Sequence, residues 1–240
     1  MQHPATYPPS DRRSAVLTGV FFIIATAFLF AGEAIYKPIL DASNVLEIAA
    51  ERRTAIVAGL LVEFICVLAI PMIAVVIYPV LCRFSTPVAL AYLFLRSLEA
   101  VVLIAVALIN KLSLIGLSEA YIANPAARAQ FEAIHAGWLA QNAWSDTSGL
   151  LYNLIFACGA LLLYIALFRS RLIPRVLSLW GIVSIGILAA TVLAVALAAV
   201  EVPPLVTVLL IGPLAVQEMA MALWLILRGF DPAALKRLPA

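Results

Sequence analysis

The sequence predicts an all-α fold: an integral membrane bundle of six transmembrane helices, with a short interfacial helix in the long outer loop between spans three and four. Three observations predict it. Hydrophobic residues make up 65% of the 240 residues and charged residues 12%, against ~45–50% and ~25% in water-soluble domains. Mean hydropathy is +1.11. The apolar residues also gather into six runs of the ~18 or more residues that a helix needs to cross hydrocarbon. These runs are far longer than a barrel strand and lack its polar alternation.

The chain divides into a tail over 1–13, a six-span domain over 14–228 and a tail over 229–240. The spans are expected at about 14–36, 54–78, 88–112, 147–168, 176–200 and 205–227. Arg12 and Arg13 precede the first run as in a signal peptide, and Gly32-Glu33-Ala34 faintly resembles a cleavage site. The run is longer than a signal core and a glutamate there is unfavourable, so the span is expected to stay. Pro71 lies inside the second span and Pro79 marks its exit. A polar interruption is expected from Ser113 to about Asp146, where Pro125 opens a helix through Phe131, Ile134, Trp138 and Leu139. Trp138 and Trp144 suit either an interfacial helix or a lid packed over the bundle. His135 on that stretch reads as a surface or capping residue, and His3 lies in the tail.

Basic residues set the expected orientation. One side holds Arg12, Arg13, Arg83, Arg169, Arg171, Arg175, Arg228, Lys236 and Arg237. The other holds Lys37, Arg52, Arg53, Lys111 and Arg128, together with the acids Asp41, Glu47, Glu51, Glu119, Glu132, Asp146 and Glu201. Both termini are therefore expected inside, in the cytoplasmic (inner) membrane of a bacterium. A net charge of +2 without a basic, aromatic-interleaved run argues against nucleic acid as a partner. Membrane lipids are the expected partners, with a small-molecule or lipid ligand possible; oligomeric state stays open. The two histidines and the spacing of Cys66, Cys82 and Cys158 imply no metal and no cofactor, each cysteine reading as a small buried hydrophobe.

Ionisable groups at bilayer depth are costly and need a partner, a proton or water. Glu63 in span two, Arg96 and Glu99 in span three, and Gln217 and Glu218 in span six form the candidate polar cluster. Glu33, Tyr152 and Asn153 are secondary candidates. Arg96 can bind one carboxylate bidentately, and at least one leftover acid is expected to hold a proton. Gly212-Pro213 ahead of Gln217-Glu218 suggests a kinked helix beside the acid. Ser97, Ser184 and Thr191 read as packing residues. No nucleophile elbow, zinc-protease motif, phosphate loop or dinucleotide fingerprint is present. The first and last three spans show no convincing repeat.

Several of these residues carry a resemblance. Arg96-Ser97-Leu98-Glu99, Tyr152-Asn153, the turn from Ser170-Arg171-Leu172-Ile173-Pro174-Arg175 through Trp180-Gly181, Gln217-Glu218-Met219, Ala222, Trp224-Leu225 and Gly229-Phe230 resemble the bacterial membrane family catalogued as domain of unknown function 4386. The resemblance implies a six-span helical domain and assigns no catalytic residue. Three functions remain open: a small-solute or proton-handling protein, an intramembrane enzyme acting on a lipid-like substrate, and a non-catalytic membrane scaffold. Whether the chain is an enzyme is undecided at this level.

Overall fold

In lipid, a backbone N–H or C=O finds no water, so a spanning segment must satisfy its polar groups internally. The computed structural model describes residues 9–145, 149–198 and 203–239, and this constraint is visible throughout them. The described residues form helices α1 (Pro9–Leu40), α2 (Val45–Ile48), α3 (Arg53–Phe84), α4 (Thr86–Val102), α5 (Ile109–Ala123), α6 (Arg128–Ser145), α7 (Leu150–Ser170), α8 (Arg175–Ala198), α9 (Pro204–Leu227) and α10 (Pro232–Leu235). A π-helical segment, Leu103–Leu108, joins α4 to α5, and a 3₁₀ turn, Pro125–Ala127, leads into α6. No strand occurs among the described residues, and six helical stretches are long and apolar enough to cross a membrane. His3, Asp146, Glu201, the expected start of span four at Thr147 and the end of span five at Val200 lie outside the described residues, as does the side chain of Trp144.

Several helices run further than their apolar cores. α3 passes through Pro71 and Pro79 to Phe84, beyond the exit expected at Pro79. A proline removes one ladder bond, whereas ending a helix near lipid would strand several backbone groups. Ser85 then accepts the first backbone bond of α4 through its carbonyl, from Ala89 N at 3.0 Å, and Pro87 sits in the first turn. The largest departure from expectation follows Ser113. That stretch is not a loop but helix as far as Ala123. Its polar groups are satisfied on the helix or by α2: Ser113 Oγ donates to the Asn110 carbonyl at 2.6 Å, and Ser118 Oγ donates to the Leu46 carbonyl of α2 at 2.8 Å.

The chain forms two compact units, one comprising Met1–Ile23, Ala69–Glu99 and Asn153–Ala240, the other Ile24–Leu68 and Ala100–Tyr152. In the first, Arg12 donates to the Leu225 and Ile226 carbonyls at 3.1 and 2.6 Å, covering acceptors at the open end of α9. Arg83 pairs with Asp11 at 2.8 Å, and Gly181 leaves room for the Tyr164 ring, which a Cβ would meet at 2.7 Å. In the second, α1 and α3 meet through two glycines. A Cβ on Gly32 would lie 2.7 Å from the Gly59 carbonyl oxygen, and one on Gly59 would lie 2.9 Å from that of Gly32. Lipid provides no hydrophobic force between helices, so close backbone approach at small residues supplies the packing energy. The same unit holds α2 against α5, with Ala50 N donating to Ser118 Oγ at 2.9 Å. α6 returns along α5, its Trp138 Nε1 donating to the Asn110 carbonyl at 3.0 Å.

Gly59→Ala is expected to force α1 and α3 apart and to cost about 1–3 kcal/mol, measured as a fall in the thermal midpoint of the detergent-solubilised protein. Gly116→Ala, where an added Cβ meets nothing within 4 Å, should leave the midpoint unchanged or raise it. Equal losses in both variants would contradict the packing assignment.

Candidate functional site

α4 carries the first polar cluster because Tyr92, Arg96 and Glu99 recur at helical spacing and share one face. All three side chains are buried. The Arg96 guanidinium donates through Nη1 to Glu99 Oε2 at 2.7 Å, with both groups at 5% exposure or less. Its carbon lies 5.9 Å from the centroid of Phe156 on α7, and Gly159, one turn on, packs beside the arginine stem. Opposite charges this close in a dry site neutralise each other, and separating them would leave an uncompensated ion.

α9 contributes two neighbours with different environments. Gln217 is fully buried and occupied at both ends of its amide: Oε1 accepts from Tyr164 Oη at 2.6 Å, and Nε2 donates to the Leu177 carbonyl at 2.9 Å. It therefore ties α9 to α7 and α8. Glu218 is half-buried and lies within electrostatic range of Arg96, Glu99, Tyr92 and Tyr164. Glu218 is thus a second carboxylate in the field of the Arg96–Glu99 pair. α9 is a continuous helix through Pro213, one turn before Gln217.

Glu63 belongs to the other unit, and its counter-charge there is a residue that sequence reasoning counted only as a basic residue at the outer end of span three. Lys111 on α5 is buried, with Nζ 3.6 Å from Glu63 Oε1 and donating to Tyr36 Oη at 3.0 Å. The ammonium also lies 4.8 Å from the Tyr36 ring centroid. Gly59 brings α3 close to α1, and Glu63 follows it by one turn on the same face. Glu33 is half-buried on α1; Tyr152 is half-buried and Asn153 buried at the start of α7. Cys66 is buried as expected, whereas Cys82 is half-buried and Cys158 exposed. An apolar solvent leaves no reason to hide a thiol from it. Among the described residues no group of three or more His, Cys, Asp or Glu side chains could hold a metal ion.

Sequence reasoning missed Tyr92, Tyr164 and Lys111. Tyr92 precedes Arg96 by one turn, a legible signal; Tyr164 and Lys111 depend on which helices meet. On α6, His135 stacks on Trp138 with centroids 5.7 Å apart, and its Nε2 is buried with no hydrogen-bond partner among the described residues.

These features define a polytopic α-helical membrane protein with compensated charges inside its helices. The chain belongs to the family described as a domain of unknown function (DUF4386), whose profile matches residues 17–229. No curated protein and no solved structure matches it.

Lys111→Met is expected to strand the Glu63 carboxylate and cost about 3–5 kcal/mol, while adding Glu63→Gln should restore much of that loss. A thermal double-mutant cycle in detergent checks this, and additive losses would contradict the pairing. Burial holds the His135 imidazole below its ordinary 6.5. The folded state therefore binds that proton less readily than the unfolded one, so the contribution is complete above pH 6.5 and is lost as pH falls from there through the lower folded value. Amide protection factors along α6, the exchange rates corrected for the intrinsic rate at each pH, should fall below pH 6.5 in the wild type, with a shallower pH dependence in His135→Gln.

Proposed function

We propose that the chain is a proton-handling membrane protein that moves or senses a small solute, with Glu218 as the proton-carrying group. The observation that supports this reading is the charge count around Arg96. Its guanidinium is committed to Glu99 at 2.7 Å, and a second carboxylate, Glu218, lies in the same field while keeping partial exposure. A surplus acid beside a fixed ion pair can take up and release a proton without breaking the pair. Gln217, saturated by Tyr164 and Leu177, serves packing. In this reading α6 lies at the membrane interface, the arginine-rich helix ends face the cytoplasm with both termini, and lipids are the surrounding partners.

The test is proton flux in proteoliposomes carrying an internal pH-sensitive dye. Wild type should dissipate an imposed gradient, and Glu218→Gln should slow it on the order of a hundredfold, as expected for loss of a proton-transfer group, while remaining folded. Gln217→Leu should lower thermal stability but keep flux in the fraction that stays folded. A folded Glu218→Gln protein with wild-type flux would remove Glu218 from the role.

A further inference from the structure

A second concentration of charge lies at the far end of the first unit and plays no part in the proposed proton chemistry. The turn between α7 and α8 and the segment after α9 together line a cleft of about 410 Å³, contributed by Arg171, Arg175, Arg228, Trp224 and Asp231 among others. A hydrogen bond and a buried apolar floor hold the two sides of this cleft together. Asp231 N donates to the Leu172 carbonyl at 2.8 Å, tying the two segments together, and Leu172, Ile173 and Phe230 are buried beneath them. The single acid in the lining caps α10, Asp231 Oδ1 accepting from Ala233 N and Ala234 N at 2.7 and 3.0 Å, so three guanidinium groups face one carboxylate in the lining.

The three arginines are in a different position from their neighbours. Arg12 is spent on the Leu225 and Ile226 carbonyls and Arg83 on Asp11. Arg171 and Arg228 have no carboxylate partner among the described residues, and Arg175 lies 5.0 Å from the centroid of Phe168. Arg171 also adopts φ 59°, where a side chain costs roughly 1 kcal/mol or more relative to glycine. Gly229, at φ 75° on the other side of the cleft, is the residue type such a position favours. A strained, exposed arginine where glycine would be easier points to a task for the side chain.

The apolar surface next to the cleft indicates the kind of anion. On α8, Val176, Leu179, Trp180 and Val183 are exposed at helical spacing directly after Arg175; on α9, Val216, Leu223 and Leu227 are exposed directly before Arg228. Each exposed apolar stripe adjoins an arginine in the chain. We infer that this cleft is a binding site for the phosphate of an anionic phospholipid, with Arg171, Arg175 and Arg228 as its donors and the α8 and α9 stripes beneath its acyl chains. Guanidinium groups suit this role because their planar donors match phosphate oxygens.

Native mass spectrometry of the full chain, released from nanodiscs of phosphatidylglycerol mixed with phosphatidylcholine, tests the site. One phosphatidylglycerol is expected to stay bound to wild type. Each of Arg171→Gly, Arg175→Gln and Arg228→Gln should weaken retention about fivefold, the scale of one cationic contact to an anionic lipid. Arg171→Gly relieves the backbone and should fold at least as stably as wild type, so its loss of lipid cannot come from unfolding. Arg13→Gln and Arg169→Gln, outside the cleft, should retain the lipid. Equal weakening by these two would mean diffuse attraction and overturn the site. Displacement of the lipid by millimolar inorganic phosphate, or equal retention of phosphatidylcholine, would overturn the assignment to an anionic lipid.

Discussion

A charge taken out of water must bring its counter-charge with it, and this constraint organises both units. Arg96 sits 2.7 Å from Glu99, and Lys111 sits 3.6 Å from Glu63, all four groups at 5% exposure or less. Breaking such a pair leaves an ion in low dielectric, which is far costlier than the pair's own net contribution is large. The second pair joins two helices and so holds α5 against α3 in one register, whereas the first lies within α4. Gly32 and Gly59 then make sense as the small residues that let α1 and α3 approach beside Glu63.

The same accounting applies to neutral polar groups. Gln217 satisfies both ends of its amide on two other helices, and Ser118 donates to Leu46 while accepting from Ala50. Such bonds are modest in energy, but an unmade one in a dry site costs its full desolvation. Glu218 stands apart because it is a second carboxylate in the field of the Arg96–Glu99 pair, and that is what gives the proposed proton chemistry its location. At the other extreme, the helix ends distribute arginines by use: Arg12 and Arg83 are consumed by the protein, whereas Arg171, Arg175 and Arg228 face a cleft.

Hydropathy and residue type were enough to determine the all-α membrane class and the six apolar helices, because transfer of ~18 or more apolar residues into lipid is a local property of each run; the family rested on the resemblance of particular motifs such as Arg96-Ser97-Leu98-Glu99. Hydropathy and residue type also singled out Arg96, Glu99, Gln217 and Glu218, since an ionisable or amide group inside such a run is visible without a structure. The helix ends were less legible. Pro79 and Ser113 look like boundaries in one dimension, yet the helices continue to Phe84 and Ala123, because the backbone there gains more from its own ladder and from polar contacts than from stopping. Only the tertiary structure could decide the partners: that Lys111 answers Glu63, that Tyr164 answers Gln217, and that Asp231 N closes the Leu172 turn. Those choices rest on which helix faces meet at close range, and residue type along a single chain does not encode that distance.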